Sequence, residues 1–215
     1  MKYKAILFDN DGTLVDTEQA ICDSFKHAMK EVLGVDNPDL KEYKKLIGLT
    51  LYDQFSHYTN DENKVEEMFT CYRKHNHATL DDKISLFPGL VDMLEDLYTH
   101  GAYLGIVTSK RHDMCLHGLE LLGIDKYFSY IQGMDDYDVH KPDPRAVGHA
   151  VEVLNLKPHE VLYVGDSQYD LDSGNGAGCD TCAVTWGVFE REILIEHNPT
   201  YIIDKPCELT RFVYE

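Results

Sequence analysis

The chain has 215 residues, of which 38 are Asp or Glu and 20 are Lys or Arg, giving a formal net charge of −18. That length suits one domain of ordinary size, or a domain with a modest insertion, and can bury a core without disulfide or metal staples. The acidic balance argues against a nucleic-acid binder, which needs a basic surface, and means that any phosphate site here needs local cations. No apolar run approaches the ~20 residues of a membrane span, and the stretch from Ala5 to Phe8 is shorter than the roughly 7–15 residues of a signal-peptide core. The six cysteines, at 22, 71, 115, 179, 182 and 207, form no dense framework. A cytoplasmic protein with free thiols is expected, with no nucleic-acid or membrane partner. Cys179-Asp180-Thr181-Cys182 has CxxC spacing, but no second pair accompanies it, and it straddles the entry to an apolar segment. These thiols are expected as small core hydrophobes rather than redox or zinc ligands.

Along the chain, residues 3–8 read as a buried strand. Residues 18–33 set Ile21, Phe25, Ala28, Met29, Val32 and Leu33 at helical spacing. Residues 41–47, 51–58 and 62–77 predict three further helices. Pro88 opens another, with Leu90, Val91, Leu94 and Leu97 on one face and Gly101 as its stop. Then come a strand over 103–107, a helix over 112–122 closed by Gly123, a strand over 128–132 and a helix over 144–154. A strand over 161–164, a helix over about 168–177, and strands over 181–184 and 201–203 complete the pattern. Gly174 and Gly176 each cost helix propensity, ~1 kcal/mol relative to Ala, so the helix over 168–177 is expected to be loosened.

Strands alternating with helices predict an α/β fold with a doubly wound parallel sheet, Rossmann-like and three-layered. The interval between the first two strands is the exception. It carries four helices and no strong strand signal, where a simple crossover needs one helix. The core is therefore expected over 1–15 and 86–215, with an inserted helical cap domain over 16–85.

In open α/β sheets, ligands bind beyond the carboxyl ends of the strands. Asp9-Asn10-Asp11-Gly12-Thr13-Leu14-Val15-Asp16 follows the first strand, and Thr108-Ser109-Lys110 follows the second. Lys141-Pro142 precedes a later helix, and Gly165-Asp166-Ser167-Gln168-Tyr169-Asp170 follows the fourth strand. Asp9, Asp11, Asp166, Asp170 and Lys141 thus converge on one edge. Crowded carboxylates repel one another unless a cation sits among them, and hard oxygen ligands suit Mg2+. The hydroxyls of Thr108 and Ser109, with Lys141, suit phosphate oxygens. The set reads as a metal-assisted phosphoryl-transfer centre.

These four segments resemble, in the right order and over essentially the whole chain, the four motifs of the haloacid dehalogenase-like hydrolase superfamily. The helical insert is similar to that family's first-position cap, as in its phosphoglycolate phosphatase-like subgroup. The 32 residues between Thr108 and Lys141 leave no room for a large second-position cap. The resemblance implies that Asp9 is the nucleophile, forms an aspartyl-phosphate and ligates Mg2+. Asp11 would be the general acid and then the base for water, with its backbone carbonyl on the metal. Asp166 would ligate Mg2+, and Asp170 would support it directly or through water. Thr108 and Lys141, with Ser109 beside them, would hold phosphate oxygens. Dehalogenases of the superfamily lack an aspartate two residues after the nucleophile, so Asp11 argues against them.

The activity implied is Mg2+-dependent hydrolysis of a small phosphate monoester, with phosphoglycolate a candidate. The alternatives are a phosphomutase of the β-phosphoglucomutase type, a pyrophosphatase or a nucleotidase. A catalytically weak member that binds a phosphorylated ligand is the reading from another class. The partner expected is a small-molecule phosphate ester, and the chain is expected as a monomer, with a dimer as the alternative. Lys44, Lys45, Arg73 and Lys74 are the cap cations available to a second anionic group.

Overall fold

The computed structural model describes residues 1–214; Glu215, the last residue of the expected core segment, lies outside the described residues. The strands in chain order are β1 (Ala5–Phe8), β2 (Val15–Asp16), β3 (Ser85–Leu86), β4 (Tyr103–Val107), β5 (Tyr130–Gln132), β6 (Val161–Gly165), β7 (Asp180–Val184) and β8 (Tyr201–Ile203). The helices are α1 (Glu18–Leu33), α2 (Leu40–Lys44), α3 (Leu51–Ser56), α4 (Glu62–Thr79), α5 (Leu90–Thr99), α6 (His112–Leu121), α7 (Pro144–Val153), α8 (Gln168–Gly176), α9 (Arg191–Glu196) and α10 (Leu209–Tyr214).

Six strands form a parallel sheet in the order β5-β4-β1-β6-β7-β8. Ala5 is in register with Tyr103 on one side and Val161 on the other. All four residues of β1 are buried, as a central strand covered on both faces requires. The side-chain period of two sorts them: Ile6 and Phe8 pack with Leu94, Leu97, Ile106 and Leu119 on one face. Ala5 and Leu7 pack with Val147, Val151 and Tyr163 on the other. Each large apolar side chain so buried contributes roughly 1.5–3 kcal/mol. The chain leaves β1 toward β4 and β5, then returns to the opposite side for β6, β7 and β8. The strand order therefore reverses at β1, and a crevice opens beyond its carboxyl end.

The sequence-based expectation of a loosened α8 is not met. The helix runs unbroken through Gly176. A Cβ at Gly174 would lie 2.6 Å from Thr181 Cγ2, and one at Gly176 would collide with the Pro144 ring. These glycines let α8 sit against β7 and the start of α7, and that packing offsets the propensity cost.

Helices α1 to α4 pack among themselves around Phe25, Tyr43, Phe55, Met68 and Tyr72, separately from the sheet's own core. Phe25 and Tyr43 stack with ring centroids 3.6 Å apart. The interval that showed no strong strand signal carries a short strand at each of its two ends. There β2 and β3 pair antiparallel, with Val15 opposite Leu86 and Asp16 opposite Ser85. Two-residue strands show no period, so nothing in the sequence marks them. The segment between α2 and α3 is a tight loop in which Gly48, at φ +108°, separates Ile47 from Leu49. The six-residue helices α9 and α10 also had no counterpart in the sequence reading, being too short to show a 3.6-residue stripe. Among the described residues, no helix is long and apolar enough to cross a membrane.

Candidate active site

The four segments singled out in the sequence meet at the reversal of strand order. Asp9 continues β1, its N–H donating to the Val164 carbonyl at 2.9 Å. Thr108 continues β4, its N–H donating to the Gln132 carbonyl at 2.9 Å. Asp166 follows β6, and Ser167 caps α8. Lys141 lies just before α7, whose first turn is capped by the Asp143 carboxylate.

Lys141 is 3% exposed and bonds two carboxylates, Asp9 Oδ1 at 2.8 Å and Asp170 Oδ1 at 2.6 Å. Burial alone would lower its pKa, but Asp170 and Asp9 outweigh that and hold it charged, well above the ordinary lysine value. Burial pushes the Asp9 carboxyl up to about 7, and Lys141 resists the shift. Asp166 is likewise raised well above the carboxylate range, by burial and then by Asp170 and Asp9. One oxygen from each of Asp9, Asp166 and Asp170 lies within 4.8 Å of the other two. One lysine cannot neutralise three buried carboxylates, and the pKa shifts express that deficit as a demand for positive charge. An all-oxygen, buried donor set of this kind fits a hard divalent cation.

The surrounding groups fix these carboxylates. Asp166 accepts from Thr13 Oγ1 at 3.0 Å and from the Val188 N–H at 2.8 Å. Gly12 turns the chain beneath it at φ +84°, and a Cβ there would collide with the Asp166 carboxylate. Only glycine meets both demands. Asp170 is fully buried with both oxygens engaged. Lys141 and the Tyr163 hydroxyl hold Oδ1, while the Ser167 N–H and hydroxyl hold Oδ2. Asp170 therefore braces Lys141 and the turn into α8.

The other expected residues take different positions. Asp11 is not among the three carboxylates whose oxygens lie within 4.8 Å of one another, and its Oδ1 accepts from Lys110 Nζ at 2.8 Å and Asn10 Nδ2 at 3.1 Å. Thr108 is buried beside the cleft, its Oγ1 accepting from the Lys110 N–H at 3.2 Å. The Ser109 hydroxyl donates to the Gly48 carbonyl at 2.7 Å, so its proton serves the contact with the helical insert. Tyr169 makes a second such contact, donating to the Lys45 carbonyl at 2.6 Å.

A cleft of about 540 Å³ lies over Asp9, Asp11, Thr108 and Lys110, with Gly48, Gln54, Phe69 and Arg73 of the insert on its far wall. Of the four cap cations, Lys44 is paired with Glu18 and Lys45 with Glu42. Arg73, stacked over Phe69, and Lys74 line the cleft. Sequence reasoning gave no part to Thr13, Tyr163 or Val188. The first two could only have been marked by their neighbours in the motifs, and Val188 contributes a backbone N–H that carries no residue signal. Cys179 and Cys182 are buried free thiols, and burial pushes the Cys179 thiol up to about 12, as suits core thiols.

The haloacid dehalogenase-like hydrolase family matches residues 6–184. A Clostridium perfringens protein named "Putative pyrophosphatase PpaX" is 42% identical over 210 residues, covering 98% of this chain and 97% of that protein. Pyrophosphatase PpaX of Bacillus mycoides is 36% identical over 214 residues, covering 97% of this chain and 96% of its own. A haloacid dehalogenase-like family hydrolase from Streptococcus pneumoniae superposes with a TM-score of 0.86 at 29% identity, covering 99% of each chain. A Haemophilus somnus structure described as a predicted phosphoglycolate phosphatase superposes at 0.89 with 25% identity, again over 99% of each. With its motif segments gathered where β1, β4 and β6 end, the chain belongs to the haloacid dehalogenase-like hydrolases.

Proposed function

We propose that this hydrolase is a Mg2+-dependent phosphatase that cleaves a small phosphate compound through an aspartyl-phosphate on Asp9. The observation that carries the reading is the buried set of Asp9, Asp166 and Asp170 around Lys141, with Asp11 beside it at the mouth of the cleft. Asp9 and Asp166 would hold the cation together with the Asp11 carbonyl, and Asp170 would support it from behind. When bound, Mg2+ supplies charge that offsets the carboxylates and the incoming phosphoryl oxygens.

The chain's own groups account for the rest. Lys141 holds Asp9 in one orientation and offers its charge to a phosphoryl oxygen, which the Thr108 hydroxyl can also meet. Asp9 attacks phosphorus, the bond to the leaving oxygen breaks, and Asp11 gives that oxygen its proton. Water then attacks the same phosphorus, Asp11 takes the water's proton, and the bond from Asp9 to phosphorus breaks. The insert over 16–85 acts as a cap that moves on the β2–β3 ribbon. The Ser109–Gly48 and Tyr169–Lys45 hydrogen bonds are the contacts it would release on opening.

Inorganic pyrophosphate is the substrate the relatives support best, since proteins 36% and 42% identical over nearly the whole chain carry pyrophosphatase names. A small monoester such as phosphoglycolate is the second reading, favoured by the Haemophilus somnus neighbour at lower identity. The deciding experiment measures phosphate release from pyrophosphate, phosphoglycolate and a panel of sugar and nucleotide phosphates. Activity is expected to be highest with pyrophosphate, to vanish with EDTA and to return with Mg2+. Full turnover in metal-free buffer would remove the metal from the mechanism. Isomerisation that needs a bisphosphate activator, without net phosphate release, would make the protein a mutase.

A further inference from the structure

Lys110 follows Thr108 and Ser109 at the end of β4, and no step above uses it. Its ammonium lies 2.8 Å from Asp11 Oδ1, and Asn10 Nδ2 donates to the same oxygen at 3.1 Å. Among the described residues, nothing donates to Asp11 Oδ2. The two side chains are 13% and 17% exposed, so the pair is shielded more than a surface ion pair yet still borders the cleft. The base of Lys110 is also fixed. Its N–H donates to Thr108 Oγ1 at 3.2 Å, and its carbonyl accepts the Met134 N–H at 2.9 Å. Lys110 and Asn10 are the donors that hold the Asp11 carboxylate, which is outside the set formed by Asp9, Asp166 and Asp170.

A carboxyl group can turn about its last bond and exchange its two oxygens. A general acid must keep the oxygen that carries the proton toward the leaving group. We propose that Lys110 is a positioning residue for Asp11, clamping Oδ1 so that Oδ2 faces the leaving-group oxygen. The proposal rests on Asp11 being the general acid, and it makes a distinction that simple structural support does not. In the first step, transfer of the phosphoryl group to Asp9, losing the clamp harms only reactions whose leaving group needs a proton; the later water step, which Asp11 also serves, is common to every substrate.

The test follows release of the phenol in the first turnover, by rapid quench at saturating Mg2+, so that only transfer to Asp9 is read; it compares wild type, Lys110→Met, Lys110→Arg and Asp11→Asn on p-nitrophenyl phosphate and phenyl phosphate. The p-nitrophenolate group departs without a proton, whereas phenolate benefits from one. Lys110→Met is expected to lower the first-turnover rate for phenyl phosphate by about 10–100-fold, the scale of a misplaced catalytic group. It should change the first-turnover rate for p-nitrophenyl phosphate by less than about threefold and leave the half-saturating concentration of both esters nearly unaltered, and Lys110→Arg should restore most of the loss. Asp11→Asn is the control and should show the same dependence more strongly. If Asp11→Asn shows the dependence but Lys110→Met slows both esters equally, or raises the half-saturating concentration alone, the clamp is overturned and Asp11 keeps its role. If Asp11→Asn slows the first-turnover release from both equally, or wild type turns over neither ester, the reading of the site falls and the clamp falls with it.

Discussion

Replacing Lys141 by Met tests the electrostatic account of the site directly. The ammonium lies 2.8 Å from Asp9 and 2.6 Å from Asp170, and all three side chains are at most 5% exposed. Methionine fills the space of the stem but leaves Asp9, Asp166 and Asp170 with no cation among them. Removing one partner of a buried ion pair costs about 3–5 kcal/mol, because the other charge stays buried and uncompensated. For a chain of this size each kcal/mol moves the unfolding midpoint by about 2–4 °C, so the metal-free variant should melt roughly 6–20 °C lower at pH 8. The deficit should shrink on acidification to pH 5.5, where the stranded carboxyls can take up protons instead. Calorimetry in EDTA at the two pH values reads both quantities, and phosphate release at saturating Mg2+ should be nearly abolished. A variant that melts within about 2 °C of wild type at pH 8, or whose deficit is the same at both pH values, would refute the reasoning.

Three other outcomes follow from the same geometry. Asp9→Asn should form no phosphoenzyme, whereas Asp11→Asn should keep metal binding and lose about 10²–10⁴ in turnover of substrates with poor leaving groups. Rapid-quench labelling with a 32P substrate separates the two, and a label on any residue other than Asp9 would overturn the assignment. Because burial holds the Asp9 carboxyl up at about 7, the folded metal-free protein keeps a proton that the unfolded chain has already released. Its stability should therefore fall as pH rises through 7, by on the order of 1 kcal/mol between pH 6 and pH 8, and Mg2+ should raise the melting point more at pH 8; equal Mg2+ shifts at both pH values would contradict this. Gly12→Ala forces a side chain into a left-handed backbone and against Asp166. It should cost about 1–2 kcal/mol of stability and weaken Mg2+ binding about 10–100-fold by calorimetric titration, and unchanged affinity would show that Asp166 is not a ligand.

Much of this protein was legible from local pattern. Apolar runs such as the one ending at Phe8, alternating with helical stripes, gave the parallel sheet, because burial on both faces leaves a composition signal that turns and helices do not share. The motif residues fell at strand ends in an order that named the chemistry. The β2–β3 ribbon was not legible, since two residues cannot show a period. The glycines of α8 were misread as a weakness, because their purpose is a contact with Thr181 and Pro144, which lie elsewhere in the chain. By itself the sequence determined the parallel α/β sheet, and it marked Asp9, Asp11, Lys141 and Asp166 as site candidates at the strand ends. Only the tertiary structure decided that Asp170 braces Lys141 and that Lys110 holds Asp11, from 29 and 99 residues away in the chain. A hydrogen bond is settled within about 3 Å of space, and sequence separation carries no measure of that distance until the sheet has brought the strand ends together.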